Sequence, residues 1–419
     1  MADLNIKTNA LFTNDNLYVL NGMNSECIDL IYLDPPFNSR RLYKAPVGSR
    51  AAGCAFKDMW KWDDVDAALL VRLTDEHPQL VDYITSIEKS HGRAMMAYIA
   101  YMAQRLFEMH RVLKPAGSIY LHCDQTAGHY LKIVMDFIFG GKNFRNEIAW
   151  CYPPKGKGPK LAFHRKHDVI FYYGKTDDGV FNRPYTSLDD KQIAKFSSTD
   201  KQGRRYKEFK GRRTYLDKSP GRPVPSWWND IAQTGQSRLE YIGYPTQKPR
   251  ALLERIIRAS SNEGDVVLDP FCGCATTCVA AQQLNRRWIG IDLSKTSADL
   301  IRDRLKDEAG ALFNDFTHFT TLPDRRDVQR MKPKDAKPIL YGRQLGRCAG
   351  GKTHFPSSML EVDHIIPKSK GGGDFLENYQ LLCGRCNRIK GDRPMEYLLM
   401  VLKNREAQRP LPFGPPPAD

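Results

Sequence analysis

The sequence predicts an α/β fold built on a mostly parallel sheet, joined to a small separate module near the C-terminus. Three observations predict it. Short apolar runs alternate with amphipathic stretches through the first 310 residues. Two of those runs end in carboxylate-bearing turns, Asp34-Pro35-Pro36-Phe37 and Asp269-Pro270-Phe271-Cys272-Gly273. A charged, proline-punctuated stretch then separates this pattern from a second one with different spacing.

In chain order, Ile28 to Asp34 reads as a strand that stops at a Pro-Pro pair. Ala94 to Leu113 carries helical periodicity (Met95, Tyr98, Met102, Leu106, Met109, Leu113) and should end at Lys114-Pro115, because a residue before proline leaves the helical region. Ser118 to Cys123 is a strand, and Ala127 to Phe139 a helix. Glu147 to Tyr152 and His167 to Tyr173 read as further strands.

Residues 176–243 differ in kind, being polar, basic and weakly periodic, as an inserted region would be. Regular pattern returns with a helix carrying Leu252, Leu253, Ile256 and Ile257. Strand Val266 to Asp269, helix Thr276 to Leu284 and strand Trp288 to Asp292 follow. The expected division is a first domain over residues 1–322, a linker over 323–340, a module over 341–402 and a proline-rich, disordered tail over 403–419.

Composition narrows the class. No run approaches the roughly 20 apolar residues that a membrane span needs, and the first residues, Met-Ala-Asp-Leu-Asn-Ile-Lys, form no apolar leader. The net charge of +15 favours polyanionic partners, since each cation set against a phosphate releases condensed counterions. From Lys201 to Arg222 nine Lys/Arg stand against two acidic residues, with Tyr206, Phe209 and Tyr215 interleaved. A groove for unpaired bases uses both cations and aromatic faces. Ten cysteines among 419 residues are not a disulfide framework, so a reduced, cytoplasmic setting is expected.

The two strand-end turns carry the chemistry. An exocyclic base amine is a poor nucleophile, because its lone pair is delocalised into the ring. A carboxylate and a backbone carbonyl that accept its two N–H bonds free that lone pair. Asp34 can supply the carboxylate and Pro35 the carbonyl, on a turn stiffened by Pro36. Phe37 offers a face for an extruded base, contributing roughly 1–3 kcal/mol. At the second turn the small residues Gly273 and Ala275 let backbone approach a ligand closely, and the helix start behind them favours an anionic group. Asp292 ends the next strand, where a doubly wound fold places an acidic residue for ribose hydroxyls.

Together these motifs resemble the β-class amino-methyltransferases of bacterial modification systems, over about residues 8 to 310. The resemblance extends to Leu113-Lys-Pro-Ala-Gly-Ser-Ile-Tyr-Leu-His-Cys-Asp124, Asn143-Phe-Arg-Asn-Glu-Ile148, Arg165-Lys-His-Asp168 and Tyr244-Pro-Thr-Gln-Lys-Pro249. It implies a Rossmann-like fold that binds S-adenosylmethionine, with Asp269, Phe271, Gly273 and Asp292 at the cofactor. It further implies Thr246, Gln247 and Lys248 near the methionine end and Asp15 near the adenine. The inserted region would recognise the target in DNA, the favoured base would be adenine (N6) rather than cytosine (N4), and the assembly would be a homodimer. Ala275 and Asn14 stand where the family usually has glycine, so an altered cofactor affinity is expected.

The C-terminal module carries Glu361-Val-Asp363-His364-Ile-Ile-Pro367, Gly371-Gly-Gly-Asp374, Asn378 and Cys383-x-x-Cys386-Asn387-Arg-Ile-Lys390. Phosphodiester cleavage needs a base and a divalent cation. His364 suits the base, Asp363 and Asn387 offer the hard oxygens that Mg²⁺ prefers, and Asn378 would orient the imidazole. The array resembles the HNH (ββα-metal) nucleases over about residues 345 to 393. Members with a structural zinc carry two C-x-x-C pairs. Here the first is Cys348-Ala-Gly-Gly351, leaving Cys348, Cys383 and Cys386, with His354 as the candidate fourth ligand. The reading is one chain that methylates and cuts DNA. The alternative is methylation alone, with the module gripping DNA.

Overall fold

The computed structural model describes residues 4–38, 41–46, 48–52, 54–61, 65, 73, 76–153, 158–234, 240–309, 316–370, 372–393 and 395–407. Its frame is a nine-stranded sheet. The strands are β1 (Ala10–Thr13), β2 (Ile28–Leu33), β3 (Leu113–Cys123), β4 (Phe144–Cys151), β5 (His167–Gly174), β6 (Trp227–Trp228), β7 (Val266–Asp269), β8 (Arg287–Asp292) and β9 (Thr317–Phe319). Their spatial order is β6-β4-β5-β3-β2-β7-β8-β1-β9. Only β5 runs against its neighbours β3 and β4, and the other pairs are parallel. The expected mostly parallel α/β sheet is what forms.

Two helical layers cover it, and the strand pleat decides which side chains go where. On one face Ile31 and Leu33 of β2 pack with α1 (Asn16–Gly22), α2 (Pro78–His91), α3 (Arg93–Val112) and α4 (Gly128–Met135). On the other, Leu30 and Tyr32 pack with α5 (Arg250–Ser260), α6 (Thr276–Gln283) and α7 (Lys295–Ala309). Alternation along one strand thus feeds two cores. Helix α5 shows the energetics. Leu252, Leu253, Ile256 and Ile257 are fully buried, each contributing about 1.5–3 kcal/mol.

Helix α3 ends at Val112, one residue early, and the chain turns straight into β3 at an extended Leu113. Strand β3 therefore begins five residues before the expected Ser118. It does so because the carbonyls of Leu113, Pro115, Ala116 and Gly117 find partners in residues 175–180, so Pro115 is accommodated in extended backbone.

Part of the inserted region belongs to the main sheet. β6 pairs with Ala149 and Trp150, and Trp150 Nε1 donates to Ile231 O at 2.9 Å. Elsewhere the insert forms two small antiparallel pieces, one of them the ribbon Arg205–Phe209 and Arg212–Tyr215. Residues 235–239 of the insert lie outside the described residues.

The expected linker over 323–340 needs correction. Ser25 N donates to Asp327 Oδ2 and Arg326 N to Asn24 Oδ1, which holds this stretch on the first domain. From Pro333 the chain is a helix, α8 (Pro333–Arg343), whose Ala336 and Leu340 sit in the core of the C-terminal module. Amphipathic contact outweighs the charged composition, so the module starts at 333 rather than 341. The rest of it is β10 (Leu360–His364) paired antiparallel with β11 (Tyr379–Cys383), then α9 (Gly384–Lys390) and α10 (Met395–Ala407). Helix α10 extends to Ala407, into the expected disordered tail, and residues 408–419 lie outside the described residues. Among the described residues no helix is long and apolar enough to cross a membrane.

Candidate active site

Parallel strands deliver their C-terminal ends to one edge of the sheet, which is where doubly wound folds bind ligands. β2 lies beside β7, with Ile31 opposite Leu268, and β7 beside β8, with Asp269 opposite Gly290. The turns after β2, β7 and β8 therefore meet. They line one cavity of about 660 Å³. Asp34, Pro35, Pro36 and Phe37 line it, and so do Asp15, Thr246, Gln247, Lys248, Asp269, Phe271, Gly273 and Asp292. All twelve residues singled out from the sequence for this site come together.

Their hydrogen bonds differ from one another. Lys248 Nζ donates to Asp34 Oδ2 at 2.5 Å and stands 5.4 Å from the Phe37 ring centroid. Among the described residues Asp34 Oδ1 is buried and has no hydrogen-bond partner. A buried carboxylate oxygen left alone forgoes about 1–3 kcal/mol, so it marks a place for a donor from a ligand.

Asp269 is held by Phe271 N at 3.0 Å and Thr277 Oγ1 at 2.5 Å. Burial nevertheless dominates, and with Asp34 and Asp292 nearby it pushes the Asp269 carboxyl up to about 7 against those two hydrogen bonds. Asp292 shapes the turn, since its oxygens accept from Gly273 N at 3.0 Å and Ser294 N at 2.7 Å. Asp15 caps α1 through Leu17 N and takes Arg105 Nη2 at 2.8 Å. Gln247 spends its side-chain amide on Ile242 N and Glu240 O, so it braces the loop beside the cavity.

Two non-glycine residues here adopt left-handed backbone, Thr246 at φ +63 and Ala275 at φ +57. Such conformations cost a residue with a Cβ roughly 1–2 kcal/mol and concentrate where ligands are gripped. Gly273, at φ +50, lies against Tyr244, whose Cε1 would be 3.0 Å from an added Cβ.

Several contributors carried no assigned role in the sequence. His122 is fully buried. Its Nδ1 lies 3.0 Å from Tyr32 Oη and its Nε2 3.1 Å from Asp168 Oδ2, while Tyr152 donates to Asp168 Oδ1 at 3.0 Å. The imidazole centroid stands 6.1 Å from that of the Phe37 ring, the two planes tilted by 32°. Burial works to raise the Asp168 carboxyl, but the His122, Lys248 and Tyr152 contacts outweigh it and lower the group overall. Arg105 could have been found: it stands in mid-helix next to Leu106 in the apolar periodicity of α3, and a charge there demands a partner.

In the C-terminal module His364 Nε2 donates to Asp374 Oδ1 at 2.8 Å, and Asp374 also takes Lys368 Nζ and Tyr379 Oη. Those donors hold the Asp374 carboxyl well below the usual range. Asp374, not Asn378, therefore orients the imidazole. The Asn378 amide is used up on the backbone, with Ile366 N on its oxygen and the carbonyls of Ile366 and Gly373 on its nitrogen. It pins the loop, and the expectation for it is corrected.

Asp363 is paired with the buried Lys390, whose Nζ is 3.0 Å from Oδ2, and with Gln380 Nε2 at 2.8 Å. Asn387 Nδ2 donates to Glu361 Oε2 at 2.5 Å. The ligand atoms of Cys348, Cys383 and Cys386 lie within 4.8 Å of one another. His354 does not join them. It is exposed, with its ring against Gly346, where an added Cβ would meet Nε2 at 2.6 Å.

Residues 28–303, more than half of the chain, match the family described as DNA methylase, and residues 347–393 match the HNH endonuclease family. Among curated proteins, the type II methyltransferase M.EcaI of Enterobacter cloacae is 30% identical over 261 residues, covering 50% of this chain and 57% of that protein. M.HpaI of Haemophilus parainfluenzae is 32% identical over 221 residues, covering 52% and 62%. The DNA adenine methyltransferase YhdJ of Escherichia coli K12 is 27% identical over 281 residues, covering 67% and 76%. The chain thus spans about six-tenths of the first two relatives' length.

Proposed function

Because this chain belongs to the DNA methylase family, we propose that it transfers a methyl group from S-adenosylmethionine to an exocyclic amine of DNA, with adenine N6 as target. One observation carries the reading. The Asp34 and Asp269 turns open into a single cavity, and Asp34 Oδ1 is buried there without a partner among the described residues.

The cavity suits the cofactor. Its carboxylates Asp15, Asp269 and Asp292 match a ligand rich in hydroxyl and amino donors, and Gly273 lines it in a left-handed turn where a Cβ would press on the Tyr244 ring. S-adenosylmethionine supplies an electrophilic methyl carbon. The chain's own residues prepare the nucleophile. Asp34 Oδ1 and the Pro35 carbonyl accept the two amine N–H bonds and turn the nitrogen lone pair out of the ring. Phe37 gives the extruded base a stacking face. Lys248 fixes the carboxylate by its other oxygen. A methylated amine must shed one proton, and Asp34 Oδ1 is the acceptor already placed on that N–H. Adenine is favoured by the Asp-Pro-Pro-Phe turn and by the adenine specificity in the name of one relative.

The C-terminal module we read as a metal-dependent endonuclease. With Nε2–H on Asp374, the basic nitrogen of His364 is Nδ1, which has no hydrogen-bond partner among the described residues and would take a proton from water. A divalent cation would neutralise charge at the phosphate. Asp363 suits one in charge, for it already holds a cation, Lys390 Nζ, which would have to yield. That same ion pair favours the second reading, in which the module grips DNA and does not cut it. Cys348, Cys383 and Cys386 would hold a zinc ion, with a solvent ligand where Gly351 supplies none. The proposed setting is the bacterial cytoplasm, with DNA as partner and a homodimer as the assembly.

Modification-sensitive sequencing of DNA from cells expressing the protein tests the main reading. N6-methyladenine at a defined site is expected. Unmodified DNA would refute methylation, and N4-methylcytosine would refute the choice of base.

A further inference from the structure

In the inserted region Arg205–Phe209 and Arg212–Tyr215 form a hairpin, with Tyr206 opposite Tyr215 and Phe209 opposite Arg212, and Ser198–Thr199 pairs with its base at Arg205 and Tyr206. Its tip is Lys210-Gly211, at φ +48 and +76. Two successive positive φ values make the tight turn whose twist suits a hairpin. Just before that turn Phe209 is 75% exposed, although it is a large apolar side chain.

One face of the ribbon is tied to itself. Arg213 lies 4.8 Å from the Tyr206 ring and pairs with Glu208 at 2.9 Å. Arg204 lies 4.6 Å from the Tyr215 ring and pairs with Asp200 at 2.9 Å. These contacts stiffen the hairpin. The other face carries Lys207, Phe209 and Arg212, since alternate residues of a strand share a side. None of Lys207, Lys210 and Arg212 meets a carboxylate among the described residues, although Lys207 Nζ lies 4.7 Å from the Phe196 ring and Lys210 Nζ 5.7 Å from the Phe209 ring. The result is a rigid, narrow element that presents one exposed ring between cations.

On the reading of the chain as a DNA methyltransferase, we infer that this hairpin enters a groove of duplex DNA, with Phe209 wedged between base pairs and Lys207, Lys210 and Arg212 on flanking phosphates. The major groove admits a two-stranded ribbon. An apolar side chain driven between base steps unstacks them, and unstacking is the work needed before an adenine can leave the helix. Positive charge on both sides of the ring selects DNA as the occupant over an apolar protein surface.

Two measurements on the full chain test this. The first is binding to a mixed-sequence 40-bp duplex at several salt concentrations, which needs no methyl transfer. Lys207→Ala, Lys210→Ala and Arg212→Ala should each reduce the slope of log affinity against log salt by about 1. Unchanged slopes in all three would overturn the phosphate contacts.

The second compares methylation of native and heat-denatured genomic DNA. In Phe209→Ala the ratio of duplex to denatured-strand methylation should fall about tenfold or more, and Phe209→Trp should restore it. An unchanged ratio, or a change of oligomeric state in its place, would overturn the wedge. If the unaltered chain methylates neither substrate, the methyltransferase reading has failed, while the salt slopes still judge the surface.

Discussion

Lys248 Nζ sits 2.5 Å from one oxygen of Asp34 and leaves the other, Oδ1, buried without a partner among the described residues. The pair joins two turns that are 214 residues apart in sequence. It divides one carboxylate between a fixed anchor and a free acceptor.

Asp34→Asn should therefore lower methyl transfer by about 10²–10³-fold, since it replaces an acceptor aimed at the reacting amine. Lys248→Met should cost about tenfold in kcat, through loss of the anchor, with smaller change in cofactor affinity. Single-turnover rates and equilibrium binding separate the two. A Lys248→Met enzyme with wild-type kcat would mean that the ion pair has no part in positioning Asp34.

Asp269 ties stability to pH. Its folded value of about 7 exceeds the ordinary 3.8, so between those values the folded chain holds a proton that the unfolded chain has lost. Stability must then fall as pH rises from about 4 to about 7 and level off above. Subtracting the Tm of Asp269→Asn from that of the unaltered protein, pH by pH, should show this decline. Hydroxyl and amino donors stabilise the ionised carboxylate, so S-adenosylmethionine should bind more tightly as pH rises through 7, with proton release. Binding heats that do not vary with buffer ionisation enthalpy would contradict the link.

Ala275 occupies left-handed backbone at φ +57 while fully buried. Glycine relieves the Cβ penalty but gives the unfolded chain more conformational entropy to lose on folding. Ala275→Gly should raise stability by about 0.5–1 kcal/mol in chemical denaturation. A lower midpoint would show that packing of the methyl group outweighs the backbone.

Asp374 and Asn378 should part company. Asp374→Asn disturbs the tautomer and orientation of His364, so metal-dependent plasmid nicking should drop by about 10²–10⁴-fold with the fold intact. Asn378→Ala removes three backbone hydrogen bonds and should cost about 1–3 kcal/mol of module stability. Equal nicking by His364→Ala and the unaltered chain would favour the reading in which the module only binds DNA.

The three cysteines should retain about one zinc per chain, measured by elemental analysis after dialysis. Cys383→Ser should release it. A Cβ at Gly351 would lie 3.9 Å from Cys386 Sγ, so Gly351→Cys should supply the fourth thiolate and slow zinc loss to a chelator. Zinc-free protein from zinc-supplemented cells would end this assignment.

The sheet and its two carboxylate turns were legible in the sequence because they depend on local rules, whereas Asp15, Thr246, Gln247 and Lys248 were indicated only by the family resemblance. Alternating apolar residues, Pro-Pro stops and small residues before a helix act over a few positions. Boundaries set by distant partners were not. Residues 115–117 became strand because residues 175–180 donate hydrogen bonds to their carbonyls, and Pro333–Arg343 became helix because Ala336 and Leu340 found a core.

Side-chain roles divided in the same way. The sequence by itself determined which residue types could activate an amine, hold a cation or face a base, since that follows from their functional groups. Tertiary structure alone decided which of those groups were free to act. Asn378 and Gln247 carry suitable amides, yet both are consumed by backbone, whereas Asp34 keeps one oxygen and His364 one nitrogen in reserve. A hydrogen bond needs atoms within about 3 Å, and only the folded chain brings residues 34 and 248, or 364 and 374, to that distance.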